Sequence, residues 1–397
     1  MHPVAEYSPP IRITIPGKFW DSQLYSGTLY LFGLSGELQT LSWDKLVAGL
    51  PIPANLRIAA DLALLGNHGL YEPGARLLLS DPDICELLES KFRRLGAMPP
   101  WEFVLNSDDA EDNPLPFPHN DSEIHYHHLY VGTSDGLYGI TAGGKDKVHL
   151  SEAPALHIAA RLSTMAQAAG SEGLYGVRLA ADSESVNGHS RLHEIQVSKL
   201  PCATCEWAFA SVVAAGYDNS VYVAPFNRVD PLGNERGRRS KHRQFDRIIL
   251  EPDIFKGDSA EHRGFTWGAG DKIFRFSEGR VGVTKYTPHA KKPPTFTFKG
   301  DISLEDPETG ASVVAARAAS FGSVIEKDDA LLVMLTTGDS LSLVGEPTNW
   351  RVFPRSKNYI NHLHVIYGDR LEIWAFTHDY FVDQESKLSG IGASTSD

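Results

Sequence analysis

The chain has 397 residues, 42% of them apolar and 10% aromatic, which excludes a disordered polymer and provides for a large core. Its formal net charge is −13, from 37 basic and 50 acidic residues; such a surface repels phosphate backbones and anionic lipid, which argues against general nucleic-acid binding and membrane adhesion. Three cysteines (Cys85, Cys202 and Cys205) are too few and odd in number for a disulfide framework, and the expected compartment is the reducing cytoplasm.

Residues 1–7 carry no basic stretch followed by an apolar one, so no secretory signal is read there. The first turn pattern comes at 33–38, an aliphatic strand interrupted by Gly33 and resumed at Leu38. Leu56-Arg57-Ile58-Ala59-Ala60-Asp61-Leu62 then matches Leu156-His157-Ile158-Ala159-Ala160-Arg161-Leu162, with a weaker copy at 313–317. A Gly-x-x-Gly-Leu-Tyr turn comes after two of the three, at 66–71 and 170–175, so these segments are read as inner strands and Leu70 as the mark of a further hairpin. The rival reading is helix, because Ala and Leu are the best helix formers.

One segment reads as helix outright, at 80–96. Ser80-Asp81 offers the cap, Pro82 a first-turn residue and Gly96 a stop, while Ile84, Leu87, Leu88, Phe92 and Leu95 make one apolar stripe. Residues 106–121 hold five acidic residues and three Pro, and are expected to form a solvated loop. Next comes His125-Tyr126-His127-His128; in a strand, His125 and His127 would share a face and could form a two-ligand metal arm, against the plainer reading of a solvated strand edge.

Ser134-Asp135-Gly136-Leu137-Tyr138-Gly139-Ile140 recurs nearly unchanged as Ser171-Glu172-Gly173-Leu174-Tyr175-Gly176-Val177. Gly and Asp tolerate the positive φ of tight turns, and the flanking β-branched and aromatic residues suit strands, so the unit is a β-hairpin. Looser copies lie at 216–221, 268–273, 338–341 and 368–371. Leu38, Leu137, Leu174, Val221, Ile273, Leu341 and Leu371 mark the copies, and the last six are expected at equivalent, buried positions on successive blades. Cys202-Ala203-Thr204-Cys205 has redox or zinc-site spacing, but neither a strand-to-helix context nor a second pair accompanies it; the plainer reading is a chance pair on a loop between blades.

Residues 229–247 are the basic counterpart of the acidic segment. Arg236, Arg238, Arg239, Lys241 and Arg243, with Arg228 and Arg247, bring seven cations into one stretch of an acidic chain. Almost nothing there is apolar, so the segment is expected to be an exposed loop and the first site of attack by an Arg-directed protease. Residues 385–397 read as a disordered tail.

The repeat resembles β-propeller proteins of the WD-repeat and quinoprotein-like kind, without a Gly-His to Trp-Asp series (Trp43-Asp44 occurs once) and without a clear Trp-docking series. The resemblance implies an all-β propeller over 1–384 with about seven four-stranded blades, six or eight also fitting the pattern. No catalytic motif, metal site or cofactor is assigned. The expected function is a non-catalytic platform, a monomer outside its complex. It would dock a protein partner by its loop face, with Arg236, Arg238, Arg239, Lys241 and Arg243 as binding residues. The alternatives are a propeller hydrolase or lyase with a metal or polar site at the channel mouth, and a regulator controlled by cleavage at 236–243.

Overall fold

The repeated Gly-Leu-Tyr unit folds as its turn chemistry dictates. Strands His128–Thr133 and Gly136–Thr141 pair antiparallel with Leu129 opposite Ile140. Gly136 sits at φ +133°, and a Cβ there would lie 2.1 Å from the Ser151 carbonyl oxygen; at its counterpart Gly173, φ +98°, a Cβ would lie 2.1 Å from that of Ser198. Both glycines are therefore required by the close approach of the next strand.

The computed structural model describes residues 8–66, 69–70, 72–105, 110–141, 146–179, 194–229, 242–255, 264–289, 293–303, 313–336 and 339–377. Its described strands form seven sheets, five of four antiparallel strands and two in which a short fifth strand joins such a set of four, and the chain is a seven-bladed β-propeller with a few short helices. It comprises two compact units, residues 114–303 and residues 1–113 with 304–397.

Residues 114–303 hold four blades, numbered second to fifth along the chain. The second consists of Asp121–His125, His128–Thr133, Gly136–Thr141 and Val148–Ser151, the third of His157–Arg161, Thr164–Ala168, Leu174–Arg178 and Glu194–Ser198. Thr204–Ala208, Ser211–Ala215, Val221–Val229 and His242–Phe245 make the fourth, and Phe265–Ala269, Lys272–Ser277, Arg280–Thr287 and Thr295–Ser303 the fifth. First strands of neighbouring blades pack side by side. Second strands such as Thr164–Ala168 and Ser211–Ala215 are wholly buried, whereas the fourth strands Val148–Ser151 and Glu194–Ser198 are mostly exposed or half-buried.

The other unit holds three blades. The first is Phe19–Tyr25, Thr28–Gly33, Glu37–Ser42 and Ala110–Asp112, the sixth Val313–Ala319, Gly322–Lys327, Ala330–Leu335 and Ser340–Val344. The seventh joins Asn349–Val352, His362–Ile366 and Arg370–Ala375 to the N-terminal strand Ile11–Pro16, with Ile13 opposite Ile373. Trp101–Glu102 adds a short parallel strand to it. Between the third and fourth strands of the first blade the chain inserts helices α1 (Trp43–Gly49), α2 (Arg57–Leu64), α3 (Pro73–Leu79) and α4 (Pro82–Gly96); α5 (Glu251–Ile254) is a single turn in the other unit. The insertion packs on the outer strand of the seventh blade: Ile11, Ile13 and Ile15 share one core with Trp43, Leu46, Ala59, Ala60, Phe92 and Leu95.

Several expectations are corrected. The segment at 56–62 is not an inner strand but helix α2, whereas its twins are strands His157–Arg161 and Val313–Ala319. The residues immediately after each copy decide its fate. Leu162 and Ser163 take positive φ and turn the chain into Thr164–Ala168. Ala63-Leu64-Leu65 instead continues the helix, and the Ala63 and Leu64 carbonyls accept bonds from Asn361 and Trp43 at 3.0 and 2.7 Å. Leu70 accordingly marks no eighth hairpin and lies in a short helical turn.

Nor are the marker residues all equivalent. Leu38, Leu137, Leu174, Val221 and Leu371 lie on third strands and are buried. Ile273, also buried, lies on a second strand, and half-buried Leu341 on a fourth, because in those blades a different hairpin carries the Gly pattern. Part of the acidic segment is strand rather than loop: Ala110–Asp112 pairs with Glu37–Gln39, and Leu115, His119 and Asp121 are buried.

Candidate functional site

Of the five basic residues singled out, Arg236, Arg238, Arg239 and Lys241 lie outside the described residues. Arg243 is on the fourth strand of the fourth blade, and its Nη1 donates to the Phe226 carbonyl at 3.2 Å. That strand is pinned by Phe245, whose ring lies 4.8 Å from Phe226 and 6.1 Å from Trp207. Phe226 and Phe245 face each other in the ladder, so the strand that carries Arg243 rests on an aromatic base.

His125 and His127 do not share a strand face. Tyr126 and His127, at φ 47° and 61°, are the two turn residues of a tight hairpin that sets His125 opposite His128. Among the described residues no group of three His, Cys, Asp or Glu side chains gathers to hold a metal ion.

Half of the Cys-x-x-Cys pair is on the connection between blades, where Cys202 lies after Ser198 and before Thr204, and the other half is not. Cys205 belongs to the first strand of the fourth blade, and Cys202 pairs with Gly170. Cys205 Sγ lies 3.9 Å from His157 Nδ1, and His157 Nε2 lies 3.8 Å from both Asp121 Oδ2 and Glu206 Oε1. A thiol, an imidazole and carboxylates in this order are the ingredients of nucleophilic catalysis, but the chemistry needs an accessible thiolate. Burial, then the negative charge of Cys202, Glu206 and Asp121, drives the Cys205 pKa well above the ordinary thiol value; burial pushes Cys202 up to about 12. Asp121 is itself engaged, Oδ1 accepting from Ser122 N and Oδ2 from Ile158 N, each at 2.9 Å. The group is a staple between the first strands of three blades.

The same device recurs in the other unit. Asp21 accepts from Ser22 N at 2.7 Å, as Asp121 does from Ser122, and forms a two-point ion pair with the buried Arg351 of the seventh blade.

Two surfaces that sequence reasoning missed are better placed to meet a ligand. Helix α3 has no buried residue, with Leu77 74% and Leu78 61% exposed, and α4, which packs on it, exposes Leu87 at 60% and Ile84 at 41%. Of the α4 stripe, Phe92 and Leu95 are buried in the core and Leu88 packs against it partly buried. The signal was the Leu77-Leu78-Leu79 run beside Ile84 and Leu87, more apolar positions than one buried face can absorb. The second surface is a cleft of about 340 Å³ lined by Arg12, Leu341, Val344, Tyr367, Arg370 and Trp374.

No family model matches the sequence, and no curated protein matches it. Solved structures similar to this chain include the Cps50 (Swd1) β-propeller domain of Myceliophteria thermophila, at 10% identity and TM-score 0.37, over 65% of this chain and 97% of that one. The WD40 β-propeller domain of Doa1 is 8% identical, TM-score 0.37, over 67% of this chain and 95% of that one. The computationally designed Ika8 protein is 9% identical, TM-score 0.42, over 91% and 99% respectively.

Proposed function

We propose that the chain is a protein-binding platform that takes an amphipathic helix of a partner on the α3–α4 face of its insertion. The observation that carries this reading is a helix, α3, without a single buried residue. Fully burying such an aliphatic side chain is worth roughly 1.5–3 kcal/mol, and Leu77, Leu78, Ile84 and Leu87 each forgo part of it on two helices that pack on each other. Two packed helices with apolar residues along them suit a third helix laid into their groove. Asp81, Asp83 and Glu86, all exposed at the start of α4, oppose an anionic lipid surface and favour a protein that brings basic residues to that end.

The basic segment is a second contact in this reading. Arg236, Arg238, Arg239, Lys241 and Arg243 would take an acidic stretch, a charge pattern that the acidic remainder of the chain cannot offer.

A photo-reactive amino acid at position 77 or 87, in cells of the native host, tests the proposal. The expected result is one cross-linked protein common to both positions and absent when the probe replaces Tyr217, which is 71% exposed in the other unit. The same set of adducts from all three positions, or none from 77 and 87, would overturn it.

A further inference from the structure

We propose that the cleft between the outer edge of the sixth blade and the face of the seventh takes an extended segment of a partner protein, one that carries a carboxylate. This site is separate from the α3–α4 face and does not rest on it. Ser340–Val344 is the fourth strand of its blade and, among the described residues, pairs on one side only, with Ala330–Leu335. Its open side offers backbone donors and acceptors to an added strand, and Val344, 84% exposed, offers apolar surface beside them.

The opposite wall has a defined charge. Along Ile11–Pro16 the isoleucines turn into the core and Arg12 turns the other way, so alternation alone puts its side chain at the cleft. The Arg12 guanidinium lies over the Trp374 ring, 5.3 Å from its centre, and no carboxylate among the described residues pairs with it. Arg370 differs. It lies 4.4 Å above the Tyr367 ring and is held by Glu372 at 2.7 Å and Asp369 at 2.9 Å, which makes it a fixed part of the wall. Among the described residues the cleft therefore pairs an open strand edge with one unmatched, aromatic-backed guanidinium, the combination that selects an extended chain bearing an acid over a neutral or basic one.

The test uses the full chain and three capped seven-residue peptides in which Val alternates with Glu, Gln or Lys, with binding read by fluorescence anisotropy. The Glu peptide is expected to bind at least about tenfold more tightly than the Gln peptide, and the Lys peptide more weakly still. Arg12→Met should bring the Glu peptide to the level of the Gln peptide, and Arg12→Glu should reverse the order of Glu and Lys. Leu77→Glu should leave all three affinities unchanged, which separates this site from the helical face. Equal binding of the three peptides, no binding, or Glu-peptide binding that survives Arg12→Glu would overturn the proposal. So would a wild-type dimer in sedimentation that Arg12→Glu dissolves, because the occupant would then be a second copy of this chain.

Discussion

His362 and His364, on the second strand of the seventh blade, have no exposed surface and are neutral in the fold. Burial lowers the His362 pKa from 6.5 to about 4, against the opposing effect of its contact with the Ala63 carbonyl. Burial and then the positive charges of protonated His362 and Arg351 hold His364 well below its ordinary value, with Asp21 opposing. The unfolded chain protonates near pH 6.5 and the fold does not, so the contribution of both is complete above that pH and declines below it, that of His362 being lost as pH falls toward 4. Urea unfolding at pH 7.5 and pH 5 should show a loss on the order of 2 kcal/mol from His362, with His364 acting in the same direction, and a His362→Phe variant a smaller loss; equal stability at the two pH values would contradict this. Asp21 makes a second prediction. Asp21→Ala leaves Arg351 buried without its counter-charge and should cost roughly 3–5 kcal/mol in the same measurement. The thiols make a third: in the folded protein a disulfide reagent should leave Cys202 and Cys205 untouched and react, if slowly, only with half-buried Cys85, while all three react in denaturant.

At the scale of the element, position within a blade sets the energetic weight of a residue. Leu174 lies on a third strand with no exposed surface, and Leu174→Ala should destabilise by about 2–5 kcal/mol. Leu341 has the same sequence signature but lies half-buried on a fourth strand, and Leu341→Ala should cost less than about 1.5 kcal/mol. Equal losses in denaturant titrations would contradict the blade assignment. Local chemistry made much of this readable. The Gly136 and Gly173 hairpins and helix α4, capped by the Asp81 carboxylate at 2.9 Å from Asp83 N, arise from residues adjacent in the chain. The fate of 57–64 needed attention to Ala63-Leu64-Leu65 beyond the repeated motif. The pairing of Ile11–Pro16 with Arg370–Ala375 could not be read locally, since its partners stand at opposite ends of the described chain.

For the whole molecule, a repeat of hairpins was enough to read a propeller, because seven units of one pattern admit few other architectures. The candidate sites were less legible. Spacing placed two histidines and two cysteines suggestively, yet spacing does not report a turn at Tyr126-His127 or the burial that silences Cys205. An apolar stripe likewise reads the same whether it is covered, as at Phe92, or left in water, as at Leu87. That uncovered face is the centre of the functional account, and a titration tests it most directly. With the protein captured from position 77 in hand, its affinity is measured by calorimetry for the wild-type chain and for a Leu77→Glu, Leu87→Glu variant of unchanged circular dichroism. The wild type is expected to bind with a negative heat-capacity change, and the variant to lose at least about a hundredfold in affinity, about 2.7 kcal/mol. Equal affinities of the two chains would contradict it.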